Sequence, residues 1–224
     1  MFILGSEMFK DKKFLIIGGA LVGILLVAGG GFFFWRQRKS AVVPKEEART
    51  ERREPLVVPP SAEEMPYETY QTADGNLSFE YPAAWTRTEI QNLETVLPKE
   101  FIDKYQLTMP LILSDPRGAQ ASLSTYRFEK GIDLDAVMDA LKAELVALGS
   151  PYDEISRQMV GDSLVVDSTV EAQGVTVLVR DVLFLVPNDP KNIIYNFAFS
   201  ARQPNWGEYE TIFDHIQNSA KLSL

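Results

Sequence analysis

Along the C-terminal two thirds of the chain, apolar and polar positions fall into two periods. In Asn76-Leu77-Ser78-Phe79-Glu80-Tyr81 the apolar side chains sit at 77, 79 and 81. Period two places them on one face of a strand. Asp74-Gly75 ahead of it is a turn signal, and 67–70 supplies the first arm of a hairpin. Pro82 has no N–H to give a ladder, so the strand ends there, and Trp85 is free to fold back as a plug on the core edge. Residues 121–128 alternate, and 163–171 and 175–186 flank a turn at Ala172-Gln173-Gly174. Val182 to Val186 is apolar at every position, as in a strand covered on both faces. In 193–201, Tyr195, Phe197 and Phe199 share a face and predict another central strand.

Period 3.6 appears twice. Asp133 precedes Leu134, Val137, Met138, Leu141, Leu145 and Leu148, with Gly149 as terminator: a capped amphipathic helix. Asn205 precedes Tyr209, Ile212, Phe213 and Ile216, and Glu208 stands at capping-box spacing from it. Strands outnumber helices, and some need cover on both faces. The expected class is α+β, an antiparallel sheet between helices in an α/β/α sandwich.

The N-terminal third follows neither period. Phe14 to Trp35 is 22 residues without a charge, about 33 Å as a helix and long enough to span a bilayer. Trp35 stands at its end, where an amphipathic ring favours the interface. A cleaved signal peptide is the rival reading, but Phe-Phe-Phe-Trp after Gly29-Gly30-Gly31 is a poor mature terminus, which favours an uncleaved anchor. Gly19 and Gly23 form a G-x-x-x-G, a spacing that lets membrane helices approach and that glycine-rich spans also contain by composition alone. Residues 36–66, with prolines at 44, 55, 59, 60 and 66 and mixed charge, read as a tether of about 30 Å root-mean-square reach. The expected organisation is a tail at 1–13, a transmembrane helix at 14–35, a linker at 36–66 and a globular domain at 67–224.

Charge divides along the same boundary. Residues 1–66 hold 10 Lys+Arg against 8 Asp+Glu, a net of +2; residues 67–224 hold 12 against 23, a net of −11. An acidic domain is repelled by phosphate backbones, so nucleic acid is not an expected partner. Without cysteine there is no disulfide, thiolate nucleophile or cysteine-bound metal, and the single histidine, His215, excludes any two-histidine centre within the chain. No G-x-S-x-G elbow, P-loop or dinucleotide fingerprint occurs. Asp133, Asp135 and Asp139 lack the glycine and terminal glutamate of a calcium loop and suit a helix start. No catalytic, cofactor or metal residues are assigned.

Residues 93–116 make a long connection between strands, with a short helix at 98–105. Its apolar residues Phe101, Ile102, Tyr105 and Leu107 form either a partner surface or a lid on the sheet.

Taken in order, these pieces resemble the PsbP-like family. The resemblance lies in the hairpin ending Phe79-Glu80-Tyr81-Pro82-x-x-Trp85, in Asp115-Pro116 before a strand and in the helix after Asp133. It continues through the hairpin from Gly161 to Val186, the aromatic strand from Tyr195 to Ala201 with Trp206, and the closing helix. It covers most of residues 67–224 and implies the α/β/α sandwich. Members of the family include an extrinsic photosystem subunit, bacterial lipoproteins and a fold relative that binds a small GTPase. What the resemblance implies is a non-enzymatic binding or assembly module with a protein partner, at the cell envelope. A carboxylate-dependent hydrolase and a small-ligand sensor are the alternatives. The anchor departs from members that sit free in a lumen.

Two arguments on orientation disagree. Lys10, Lys12 and Lys13 precede the span, and seven Lys/Arg follow within about twenty residues, which places the domain in the cytoplasm under the positive-inside rule. The short basic N-terminus and the extracytoplasmic habit of the resembling family favour export, the orientation expected here.

Overall fold

The computed structural model describes residues 65–223, apart from 91, 96, 130, 148–151, 173 and 187–191. The span expected at 14–35, the linker up to 64 and the helix terminator Gly149 lie outside the described residues. Among the described residues no helix is long and apolar enough to cross a membrane.

Among the described residues ten strands form two antiparallel sheets. The larger sheet has the order β3-β4-β5-β9-β8-β7-β6. Its strands are β3 (Thr86–Thr88), β4 (Thr108–Ser114), β5 (Gln120–Arg127), β6 (Asp153–Val160), β7 (Ser163–Ala172), β8 (Val175–Leu185) and β9 (Ile193–Arg202). The smaller has the order β1-β2-β10, from β1 (Tyr67–Gln71), β2 (Leu77–Pro82) and β10 (Lys221–Leu222). The large sheet lies between helices, as expected, and the correction is that a second, smaller sheet shares one of its faces. The first hairpin leaves the main sheet, because its apolar face packs on that sheet's surface instead of extending its edge.

Alternation along β8 and β9 separates two cores. Val182, Phe184, Tyr195, Phe197 and Phe199 face the small sheet and the helix α3 (Trp206–Asn218). Leu183 and Ile194 face α1 (Lys99–Tyr105) and α2 (Leu134–Ala147). Of the predicted inner stripes, Leu134, Val137, Met138, Leu141 and Leu145 on α2 and Tyr209, Ile212, Phe213 and Ile216 on α3 are buried, and Leu148 lies outside the described residues. Trp85 is buried edge-on to Tyr209 and Phe213. The Ala136 N–H donates to Asp133 Oδ1 at 2.6 Å, the predicted cap of α2. The capping-box spacing at α3 is not used, since Asn205 makes no side-chain cap bond. A 3-10 turn at Gln203–Asn205 runs directly into that helix, so Asn205 already has helical dihedrals.

Four strands, β3, β4, β6 and β10, lie where sequence patterning gave none. β4 occupies part of the connection read between 93 and 116, with Pro110 falling inside a register shift between Thr108 and Leu111. β6 forms the edge of the large sheet and turns into β7 through Gly161, whose φ of 60° suits glycine.

Candidate functional site

Of the four residues proposed from sequence as a partner surface, three point inward. Phe101, Tyr105 and Leu107 are 5%, 5% and 4% exposed and pack with Tyr126, Met138 and Leu141 under α1 and α2. Ile102 is partly buried against the same cluster. Tyr105 keeps its hydroxyl satisfied by donating to Glu144 Oε1 at 3.0 Å, which Lys104 also contacts at 2.5 Å. The structure thus places three of the four residues under α1 and α2 and leaves Ile102 half-buried beside them.

The described acidic residues are largely tied into local pairs. Arg157 bonds Glu154 at 2.8 Å and reaches Asp139 at 2.8 Å and Asp135 at 3.4 Å across to α2. Arg180 bonds Asp167 at 2.8 Å, reaches Glu210 and Asp214 on α3, and lies over the Trp206 ring. His215, partly exposed, stacks on Tyr67 with ring centroids 3.9 Å apart and meets Glu80 at 2.9 Å. It fastens α3 to the small sheet. No group of three or more metal-ligating side chains occurs among the described residues.

One carboxyl departs from this pattern. Asp181 points from β8 to the α2 side of the sheet and is buried. Burial pushes its pKa up to about 6. Asn196 Nδ2 donates to it at 2.9 Å. The same face carries Ser124, Ser168 and Tyr126, all buried, and the Tyr126 hydroxyl is pushed up to about 12 by burial. Asn196 Oδ1, Ser168 Oγ and Tyr152 OH are buried without a hydrogen-bond partner. The cluster is buried and offers no substrate access.

An opening to solvent lies on the other face of the same strands. A cleft of about 370 Å³ opens between the β7–β8–β9 surface and the last turn of α3 with β10. Val182, Phe184 and Phe197 form its buried floor, and Asp162, Gln217 and Asn218 its polar rim. Val160 lines its mouth and is 50% exposed. Along the same edge strand, Ile155 is 59% and Met159 54% exposed. The other large apolar side chain exposed among the described residues is Val146, near the end of α2. Soluble surfaces rarely concentrate their exposed apolar groups in this way without a reason.

No family model matches the chain, and no curated protein matches it. Solved structures with a partly similar arrangement include cyanobacterial PsbP (CyanoP) from Synechocystis sp. PCC 6803, at 12% identity over 70% of this chain and 92% of that chain, TM-score 0.48. The Saccharomyces cerevisiae Ran-binding protein Mog1p is similar at 8% identity over 70% of this chain and 96% of that one, TM-score 0.46. LpqN, involved in cell envelope biogenesis of Mycobacterium tuberculosis, is similar at 12% identity over 72% and 92%, TM-score 0.46. These values describe a partial likeness in the layout of strands and helices and nothing of activity or partner.

The cleft and the β6 edge were not legible in the sequence. The cleft is assembled from short pieces of β7, β8, β9, α3 and β10. β6 is exposed on both faces, so Asp153-Glu154-Ile155-Ser156-Arg157-Gln158-Met159-Val160 carries no alternation. The available signal was Met159-Val160 directly before Gly161-Asp162: two apolar residues at a turn.

Proposed function

We propose that the chain is a single-pass, membrane-anchored, non-enzymatic module. Residues 14–35 hold it in the membrane. Residues 67–224 bind a protein partner on the extracytoplasmic side and assist the assembly or stability of a membrane complex. The observation that supports this reading is the gathering of exposed apolar residues along one sheet edge, beside an open cleft. The polar groups elsewhere are largely spent on internal pairs. A carboxylate-dependent hydrolase has less support. Among the described residues, the carboxyl driven up to about 6, Asp181, is buried on the α2 side, and the described lining of the cleft offers one carboxylate, Asp162. A small-ligand sensor is the second reading, and the cleft between sheet and helix favours it; its volume lies near the low end for ligand pockets.

The test is native electrophoresis of the full chain extracted from its own membranes in mild detergent. The expected result is migration in a complex with at least one other protein. Migration alone, or only with further copies of itself, contradicts the reading.

A further inference from the structure

Among the described residues β6 has a neighbour on one side only. β7 pairs with it and, among those residues, nothing pairs with its outer edge. Such an edge presents a row of backbone donors and acceptors and is a template for another strand. Edges not meant to pair are blunted by short length, proline, charged side chains or bulges. β6 is eight residues long and contains no proline; its charges, Asp153, Glu154 and Arg157, stop at Arg157, and beyond them it exposes Met159 and Val160, with Ile155 exposed among them. Its one irregularity, between Glu154 and Ser156, lies near the N-terminal end and leaves Ser156 to Val160 in continuous register with β7.

The two faces of this stretch differ. Met159 pairs with Leu164 and lies on the α2 side; Val160 pairs with Ser163 and lies on the cleft side. A strand added to this edge projects alternate side chains to each face. Beside Val160, one of them meets the mouth of the cleft, whose floor is Val182, Phe184 and Phe197.

Charge selects the occupant. Asp153, Glu154 and Asp162 lie on or next to β6, and Asp135 and Asp139 reach it from α2; against these five acids stand Arg157 and Lys142, a net of −3. Arg157 is already engaged by Glu154, Asp135 and Asp139. A second copy would bring the same −3 against itself. The antiparallel register that pairs Ile155 with Met159 would also set Arg157 against Arg157, an unfavourable cross-strand pair. The first described residues lie elsewhere: the Ala83 N–H donates to Pro66 O at 2.9 Å, three residues before β3, the strand on the opposite edge.

Resting on the binding-module reading above, we propose that the outer edge of β6 from Ser156 to Val160 is a strand-addition site for a partner protein. Its occupant is an extended segment, apolar at alternate positions and flanked by lysine or arginine, with one apolar side chain seated in the cleft beside Val160.

The test places the photo-crosslinker benzoylphenylalanine at Gln158 in the full chain, in its own membranes, with the same group at Thr88 on the opposite edge as control. The expected result is an adduct from position 158, and none from 88. The crosslinked peptide of the other protein is apolar in alternation and carries flanking Lys or Arg. Met159→Lys combined with Val160→Lys lowers that adduct by roughly ten-fold, because lysine both blunts the edge and repels a basic segment. The urea midpoint of the double variant stays at the wild-type value, which shows that folding is not the cause. An adduct to a second copy, to residues 36–64 of the same chain, or to an acidic segment overturns the proposal. So does an adduct that survives the double substitution, or one from 88 alone. Loss of the adduct together with a fall in the midpoint overturns it unless Gln158→Lys, a substitution of one exposed polar residue for another, lowers the adduct at wild-type stability with the crosslinker moved to Ser156. If neither crosslinker reacts while the heavier native complex persists, the strand site is wrong and the binding-module reading stands. If the heavier complex is itself missing, the binding-module reading fails.

Discussion

Asp181→Asn is expected to stabilise the protein at neutral pH and leave its stability at pH 4 nearly unchanged. The carboxyl is buried in the sheet, accepts one hydrogen bond from Asn196 at 2.9 Å and has no cation beside it. Its pKa rises from 3.8 to about 6, and desolvation is the main cause. The folded state therefore holds this proton more tightly than the unfolded chain. Its contribution to stability is greatest below pH ~4, falls as pH rises through about 6, and is constant above. A difference of about two units corresponds to about 3 kcal/mol lost across that window, at 1.36 kcal/mol per unit. Asparagine has nearly the same shape and no charge to desolvate, so the variant recovers up to about 3 kcal/mol at pH 7–8. Other carboxylates titrate in the opposite sense. Glu144 is held low by Lys104 and Glu154 by Arg157, so each withdraws stability as pH falls. They are common to both proteins and cancel in the difference. The assay is urea unfolding of the full chain in mild detergent from pH 4 to pH 8, followed by tryptophan fluorescence, for wild type and variant. A difference that is flat with pH, or a variant less stable than wild type at pH 7.5, refutes the reasoning.

Further outcomes follow from packing. Trp85→Ala removes the plug that meets Tyr209 and Phe213 edge-on and is expected to cost about 3–5 kcal/mol in urea unfolding. Phe101→Ala is expected to cost about 3 kcal/mol, whereas a freely exposed partner residue would cost less than about 0.5 kcal/mol. Asp133→Ala breaks the bond from the Ala136 N–H and is expected to cost about 1 kcal/mol, with Asp133→Ser restoring most of it.

The parts of the fold legible in the sequence are those where burial is one-sided or complete. β2 alternates because one face meets the core; β8 is apolar throughout its second half because it lies between two layers. α2 and α3 each bury one stripe, and the 3.6 period records it. Where burial departs from these cases the pattern misleads. In β5, Ser122 and Ser124 read as the solvent face of an alternating strand, yet both are buried, because both sides of the large sheet are covered. The helix at 98–105 was visible as an amphipathic stripe, but a stripe does not say whether a sheet or another protein covers it. Phe101, Tyr105 and Leu107 meet the sheet side. β6 shows the opposite failure: a strand that buries neither face has no period to detect. The surface with most to say about function was therefore the least legible.

The choice of partners depends on which side of the membrane the acidic domain occupies. The chain contains no cysteine, so Ser61→Cys in the linker gives a single labelling site. Intact cells are treated with a membrane-impermeant maleimide, with and without lysis. Labelling of intact cells is the predicted result and places the binding domain outside, held by residues 14–35. Labelling only after lysis contradicts the account, puts the domain in the cytoplasm as the basic residues after Trp35 would have it, and removes the envelope role.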